Sequence, residues 1–480
     1  MILSFSRWTS GRSRSHLQPN PSRPANILKD TMTNHLKRFL PTAALTLLFL
    51  AGCGGTPSIK LEPVSYTGGG SFDQVQSVTI SETDTPSSVT ERTGGVIVTW
   101  HPEDGYAMVG TSNGVSLNGS KPPKAYKIAE TSNPQSYGLA SWSQGWNVWG
   151  SGWSVWGSGS SSWGSGWTVW GSGSTSWGSG VAGNIPAENV KIWQKIKLLE
   201  ASKLAPRAGG GVKIAVIDSG IDLKHPAFQG ALVGQSDMWD WVDSDATPQD
   251  VSGSGSNHGY GHGTAVAGIV LQVAPKAKIM PLRVLDASGE GDTANVIAAI
   301  DYAVAHGAKV INLSLGTDYD KSLDNTIKSA TKAGVFVIAS SGNTGDGNIT
   351  YPASDALVKG SWGEMTLGIG SSDLNDKKSS FSTYGDSLEM TAIGEIISSP
   401  APGGLMGVWN GTSMAAPMVS AGFALALGER YFKDARPVGQ AMSSSSDATN
   451  ALNPNYYNRL GYGRLNLERF LSVVLNPSFK

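Results

Sequence analysis

The stretch VKIAVID, residues 212–218, decides the fold. It is apolar without alternation and ends in an aspartate. A strand covered on one face alternates apolar and polar residues, whereas an unbroken apolar run marks a parallel strand buried on both faces. AKVINLSLG (308–316) and GVFVIAS (334–340) repeat the pattern. Between the first and second runs, DTANVIAAIDYAVAHG (292–307) has the spacing of an amphipathic helix and stops at Gly307. A further helix is expected over about 321–333, and ENVKIWQKIKLLEASKLA, from 188, has helical apolar spacing at Ile196, Leu199 and Leu204. Strand and helix alternate to residue 475. The prediction is an α/β domain over 184–475, doubly wound, with a mostly parallel sheet and helices on both faces.

In such sheets, chemistry gathers at the carboxyl ends of the strands. Asp218 ends the first run, and Asn343 follows the third in SSGN (340–343). His262 lies in GHGTAVAGIV (261–270), a glycine-flanked turn running into an apolar helix. Ser413 lies in NGTSMAAP (410–417), where another helix begins. A serine hydroxyl is a weak nucleophile until a base takes its proton. Histidine has the pKa for that task, and a buried aspartate fixes its tautomer and stabilises its cation. A helix starting at the serine aims backbone N–H groups at a developing oxyanion, and Asn343 can add a second donor. Each residue alone has a bland reading: a capping serine, a turn histidine, a strand-end aspartate. Together they point to covalent catalysis.

AVIDSGID, GHGTAVAG, SSGN and NGTSMAAP resemble, in this order, the Asp, His, oxyanion-Asn and Ser motifs of the subtilisin-like serine proteases. The resemblance covers about residues 190–475 and includes INLSLG (311–316) and LGYGRLNL (460–467). It implies a serine endopeptidase with Ser413 as nucleophile, His262 as base, Asp218 as orienting acid and Asn343 as oxyanion donor. It implies protein or peptide substrates, paired between Ser314, Leu315, Gly316 and the turn Gly289, Glu290, Gly291. Ser340, Ser341 and Gly342 would wall the primary pocket, with Thr350 at its base. TYP (350–352) resembles the family's Tyr-Pro pair, so a cis Tyr351–Pro352 bond is expected.

Departures from the pattern are local. Ala265 stands where the family often has a second histidine, and MTAIGEI (390–396) where it usually reads A-P-G. GIVLQVAPKAKI (268–279) runs on without the calcium-binding insertion that many subtilisins carry. A different calcium loop is implied by DWVDSDATPQD (240–250), which resembles that of the thermitase-like branch; its ligands would be Asp240, Asp243, Asp245, Thr247 and Gln249. The alternative is a solvated acidic turn. A His258–His262 metal pair lacks further convergent ligands.

Upstream of the domain the texture changes three times. MTNHLKRFLPTAALTLLFLAGCGG (32–55) has basic residues, a short apolar run and the chain's one cysteine, Cys53. The run is too short for a comfortable span and suits a secretory signal. It resembles a bacterial lipoprotein signal, which would make Cys53 the lipidated residue and tie the protein to a membrane outside the cytoplasm. Residues 1–53 are thus read as leader and signal, with Met32 a candidate start. Residues 54–135 form a small β-rich region and candidate pro-region, with strands expected at 75–80, 95–100 and 106–110. Residues 136–183 are a Gly/Ser/Trp segment in which Trp142, Trp149, Trp156, Trp163, Trp170 and Trp177 recur every seven residues, joined by Trp146, Trp153 and Trp167. The glycine content rules out a coiled coil. The segment reads as a linker, as a surface-binding element that would make the chain an envelope adhesion protein, or as a small repetitive β-structure. The formal net charge of -1 and the absence of a strongly basic stretch argue against a nucleic-acid partner.

Overall fold

The computed structural model describes residues 74–102, 105–111, 153–156, 167–168, 189–253, 259–355 and 363–479. The N-terminal part is a three-stranded antiparallel sheet, β1 (Gln74–Thr79), β2 (Val96–His101) and β3 (Tyr106–Thr111), in the order β1-β3-β2. Helix α1 (Pro86–Thr93) is closed by Gly94 at φ 71° and starts on Thr85, whose hydroxyl accepts from Ser88 N–H. It covers one face of the sheet through Val78, Ile80, Val89, Trp100, Ala107 and Val109. The expected strands are thus present. The other face sends Val75, Val98 and Met108 into the main core.

Two short strands follow in the tryptophan repeat, β4 (Trp153–Trp156) and β5 (Trp167–Thr168). The long helix expected from 188 is broken in two, α2 (Val190–Lys195) and α3 (Leu198–Leu204), because Lys197 is left-handed at φ 62°. Apolar spacing could not show that break.

The central sheet has seven strands and every pairing is parallel. These are β6 (Lys213–Asp218), β7 (Trp239–Asp240), β8 (Lys278–Arg283), β9 (Val310–Leu313), β10 (Phe336–Ser340), β11 (Thr366–Ser372) and β12 (Met390–Ile393). Their order is β12-β11-β10-β9-β6-β8-β7. The apolar runs land as predicted: only Lys213 of β6 escapes full burial, and β9 and β10 are buried throughout. A hairpin, β13 (Ile397–Ala401) and β14 (Leu405–Trp409), stands apart from this sheet.

Helices α4 (His262–Val273) and α7 (Thr412–Glu429) pack together, as do α5 (Thr293–Ala305) and α6 (Lys321–Lys332). Helix α8 (Arg436–Ser444) and α9 (Leu467–Val474) close the chain. Every residue of α4, and all of α7 but Leu427 and Glu429, is buried. Helices apolar on all sides belong inside a domain. Among the described residues no helix is long and apolar enough to cross a membrane.

The N-terminal sheet docks on α5 and α6. His101 Nε2 lies 2.9 Å from Asp301 Oδ2, with both side chains buried. The Tyr106 hydroxyl is 2.8 Å from Ser329 Oγ. Asp301→Ala should cost about 1–3 kcal/mol, because it leaves a buried polar ring without its carboxylate. Denaturant titration with protease protection of residues 74–111 measures it; an unchanged protection profile would show that the pair does not hold the sheet in place.

Candidate active site

Asp218 is the last residue of β6 and His262 the first of α4. Both side chains are buried, and His262 Nδ1 lies 2.7 Å from Asp218 Oδ1. The same oxygen accepts from Ser219 N–H at 2.7 Å. A carboxylate here requires the imidazole proton on Nδ1, which leaves Nε2 as the basic nitrogen. Glycine makes the approach possible: a Cβ on residue 263 would stand 2.2 Å from the Gly220 carbonyl oxygen and 3.1 Å from Asp218 Cβ.

The helix begins at Thr412, one residue earlier than expected, with Gly411 as its cap, so Ser413 lies in its first turn. Its hydroxyl donates to the Ser314 carbonyl oxygen at 3.2 Å, and Ser314 Oγ donates back to the Ser413 carbonyl at 2.8 Å. The second bond follows from Pro417. A proline four residues on has no N–H, so the Ser413 carbonyl is spared its intrahelical partner. Ser314 Oγ in turn accepts from Asn312 Nδ2 at 2.9 Å, and Asn312 Oδ1 accepts from Ser420 Oγ at 2.8 Å. A buried polar chain thus links β9 to two successive levels of α7.

Asn343 is oriented by Thr412. Its Oδ1 accepts from both the N–H and the hydroxyl of Thr412 at 2.9 Å. That hydroxyl itself accepts from Gly342 N–H at 3.3 Å, so its proton is directed to Asn343. The Asn343 NH2 group is left on the side of Gly411, where an added Cβ would meet Nδ2 at 3.4 Å.

The predicted cleft residues converge in part. Gly316, Gly342 and Thr350 meet: a Cβ on Gly316 would stand 2.5 Å from Thr350 Oγ1, and one on Gly342 3.1 Å from Thr350 Cγ2. Thr350 N–H and Oγ1 both donate to the Ser341 carbonyl, at 3.1 and 3.2 Å. Leu315 and Ser340 are buried beside them. Thr317 exchanges both backbone hydrogen bonds with Tyr351, and the Tyr351–Pro352 bond is cis, as expected. The turn 289–291 is pinned separately, through Asp286 N–H to the Glu290 carbonyl at 2.8 Å. It also abuts Gly259, where a Cβ would stand 2.6 Å from Gly289 N, just ahead of the His262 turn.

Two contributors were not foreseen. Asp250 is buried and clamps the histidine turn: both of its oxygens accept from Gly261 N–H, at 3.1 and 2.9 Å, and Oδ2 accepts from Thr264 Oγ1 at 2.6 Å. Burial drives its pKa up to about 8 against the pull of those donors, with the nearby Asp218 charge adding to the rise. Arg283 is the other. Its Nη1 lies 2.8 Å from Asp240 Oδ2 and 2.6 Å from Asp243 Oδ2. Position 283 ends β8 beside Asp218, but no motif marks either residue.

Arg283 bears on the predicted calcium ligands. Asp240 Oδ1 accepts from the N–H groups of Val242 and Asp243, so both of its oxygens are engaged. Asp245 Oδ1 accepts from Thr247 N–H at 2.7 Å, and Gln249 Oε1 from Leu223 N–H at 3.2 Å. The five do not form a preformed cage, and among the described residues no group of three or more His, Cys, Asp or Glu is placed to hold a metal. What the turn offers is a partial set with Asp243 on the outside, its side chain 59% exposed. Cys53 and His258 lie outside the described residues.

An aspartate-bound histidine, a serine near a helix N-terminus and an aligned asparagine amide on a parallel sheet are the parts that a serine-nucleophile hydrolase uses. The subtilase family profile matches residues 209–463, and the chain belongs to that family. It is 40% identical to thermitase of Thermoactinomyces vulgaris over 238 residues, 47% of this chain and 78% of that protein. It is 37% identical to Subtilisin Savinase of Lederbergia lenta, over 45% of this chain and 76% of the relative. With Subtilisin-like protease 5 of Trichophyton tonsurans it shares 38% identity but spans only 51% of that protein. A cold adapted subtilisin-like serine proteinase of known structure aligns with a TM-score of 0.46 at 30% identity, covering 54% of this chain and 89% of that one.

Asp250 generates a pH prediction. Its folded pKa, about 8, lies above the 3.8 of an ordinary aspartate, so the unfolded chain loses this proton first as pH rises. The group therefore favours the fold fully below about pH 4, and that contribution is lost as pH climbs towards 8. Asp250→Asn cannot ionise. The Tm of this variant minus that of wild type should rise steadily from pH 4 to 8 and level off above. A difference that stays flat from about pH 5 to 8 would mean that the donors keep Asp250 ionised in the folded state.

Proposed function

We propose that this chain is a subtilisin-like serine endopeptidase acting through an acyl-enzyme. The observation that carries the reading is the 2.7 Å contact between buried His262 Nδ1 and Asp218 Oδ1, which readies Nε2 as a base at the carboxyl end of the sheet, where Ser413 meets Ser314. Ser413 Oγ turns from the Ser314 carbonyl to attack the substrate carbonyl, and Nε2 takes its proton. The oxyanion is met by the Asn343 NH2 group and by N–H groups of the first turn of α7. The imidazolium, held by Asp218, then protonates the departing amine. Water completes the cycle by the same steps in reverse. Extended peptide pairs with Ser314–Gly316, opposite the turn Gly289–Gly291. The side chain before the cut enters the pocket walled by Ser340, Ser341 and Gly342. Thr350 at the floor limits its depth.

The same reading covers the whole chain. The signal resemblance supports Cys53 as a lipid anchor outside the cytoplasm, and the docked sheet of 74–111 suits a pro-region that stays seated on its enzyme. Self-cleavage between about 178 and 188 would then mature the protein; GSGVAGNIPAEN (178–189) has only Val181 and Ile185 as bulky side chains.

Ser413→Ala should abolish peptide hydrolysis and preserve the fold, and should leave the chain uncut. Asn343→Ala should lose about 10²–10³ in kcat, the size established for one such donor in this family. An Asn343→Ala enzyme as fast as wild type, in a chromogenic peptide assay, would remove the asparagine from the mechanism.

Calcium enters as a structural ion only. With Arg283 offsetting the charge it shares with Asp240 and Asp243, the donors are the free oxygen of Asp243 together with Asp245, Thr247 and Gln249, and so little net charge suits weak binding, about 10⁻⁴–10⁻³ M. Adding calcium in that range should raise Tm in wild type by mass action and leave Asp243→Ala with Asp245→Ala unmoved. Equal shifts in both proteins would put the ion elsewhere.

A further inference from the structure

The hairpin β13–β14 carries an unprotected edge. Strand β14 reads LMGVW, with no charge and no proline, and such an edge invites pairing. The hairpin is fixed to the body of the protein. Its turn glycines Gly403 and Gly404 donate to Asp222 Oδ2 at 2.9 and 3.3 Å. His225 Nε2 holds the Leu405 carbonyl at 2.8 Å. Trp409 at its end is fully buried, and a Cβ on Gly261, the residue before His262, would stand 3.0 Å from its ring. The edge is therefore rigid, backs the histidine turn, and ends four residues before Ser413.

What covers this edge is the tryptophan repeat. Strand β4 pairs antiparallel with β14, Ser154 opposite Val408, Val155 opposite Gly407 and Trp156 opposite Met406. Strand β5 then pairs with β4 in parallel, with Trp153 beside Trp167 and Ser154 beside Thr168. The offset between these partners equals two seven-residue periods of the repeat. That register has a physical reason. When the offset equals a whole number of periods, residues of the same type come opposite one another along the paired backbones. A free linker has no cause to choose it.

We propose that the W-x-V-W units of the repeat are a docking element: 153–156 adds as a strand to the edge of β14, and 167–168, the start of another unit, pairs with it one double period later. The repeat is then an extension of the catalytic domain beside the serine turn, not a slack tether. Self-cleavage at 178–188 would cut the chain without freeing the repeat, since the two pieces remain joined by strand pairing. The partner is a segment of this chain, chosen by main-chain hydrogen bonds along an apolar edge.

Cysteine pairing tests the register in the full chain carrying Ser413→Ala and Cys53→Ser, so that neither self-cleavage nor the native thiol interferes. Ser154→Cys with Val408→Cys should cross-link on mild oxidation with diamide. Thr168→Cys with Val408→Cys should not, because one intervening strand puts these positions about 10 Å apart, beyond disulfide reach. Asn147→Cys, the equivalent position of another W-x-V-W unit, should also fail with Val408→Cys. The expected yield for 154 is at least about tenfold above both controls. Trp156→Cys with Met406→Cys is the second pair, for use if the first does not fold. Similar yields from 147, 154 and 168 would show a repeat that slides along the edge, and no cross-link from either matched pair would show an uncovered edge; each overturns the proposal.

Discussion

The burial of α7 on nearly every side is the constraint on which the rest of the site depends. Its first turn carries Thr412 and Ser413, and its flank packs on α4 and against β9, β10, β11 and β12. A helix with one solvated face can roll or shift by small amounts at little cost. A helix clasped all round cannot, because close-packed interiors resist fractions of an ångström. Asn312, Ser314 and Ser420 add directional bonds to that packing, and Pro417 opens the carbonyl through which Ser314 joins in. The serine is positioned by the core and only fine-tuned by polar contacts.

The same logic explains how much could be read from sequence. Parallel strands buried on both faces leave unbroken apolar runs, so β6, β9 and β10 were visible as strings of letters, with Asp218 and Asn343 placed by what they follow. His262 and Ser413 were legible because close backbone approach demands glycine next to them: Gly263 against Asp218, and Gly411 at φ 149° beside Asn343. Asp250 and Arg283 were not legible. Each acts through partners brought near only by folding, at positions where any polar residue would look ordinary. Lys197 is similar, since one left-handed residue between two helical runs leaves the apolar spacing intact. The acidic turn was legible only in part. Its letters suggest a ligand set but could not show Arg283, which the turn meets only in the folded chain and which engages Asp240 and Asp243 oxygens.

The two regions ahead of the catalytic domain meet it in different ways. Residues 74–111 dock through a conventional small core plus buried polar contacts, His101 with Asp301 and Tyr106 with Ser329, on the outer faces of α5 and α6. Side chains choose that partner, so composition could not foretell it. The repeat meets β14 through main-chain pairing, which is tolerant of side-chain identity. Its specificity has to come from period and register, and a sequence of nearly identical units has several registers to choose among.

That ambiguity bears on why the hairpin is so firmly held. If the edge of β14 were itself mobile, identical W-x-V-W units could each take a turn on it, and a slipping repeat would carry strain into Trp409 and from there to the turn bearing His262. With Asp222 on the hairpin turn and His225 on Leu405, the edge presents one fixed line of donors and acceptors. Two of the five residues of β14 are poor candidates for change: Gly407 because a Cβ would stand 2.9 Å from the Trp409 indole nitrogen, and Trp409 because it fills the space behind Gly261. The strand that receives the repeat and the strand that supports the His262 turn are thus one element. Its sequence answers to both demands, which accounts for an apolar edge so near Ser413.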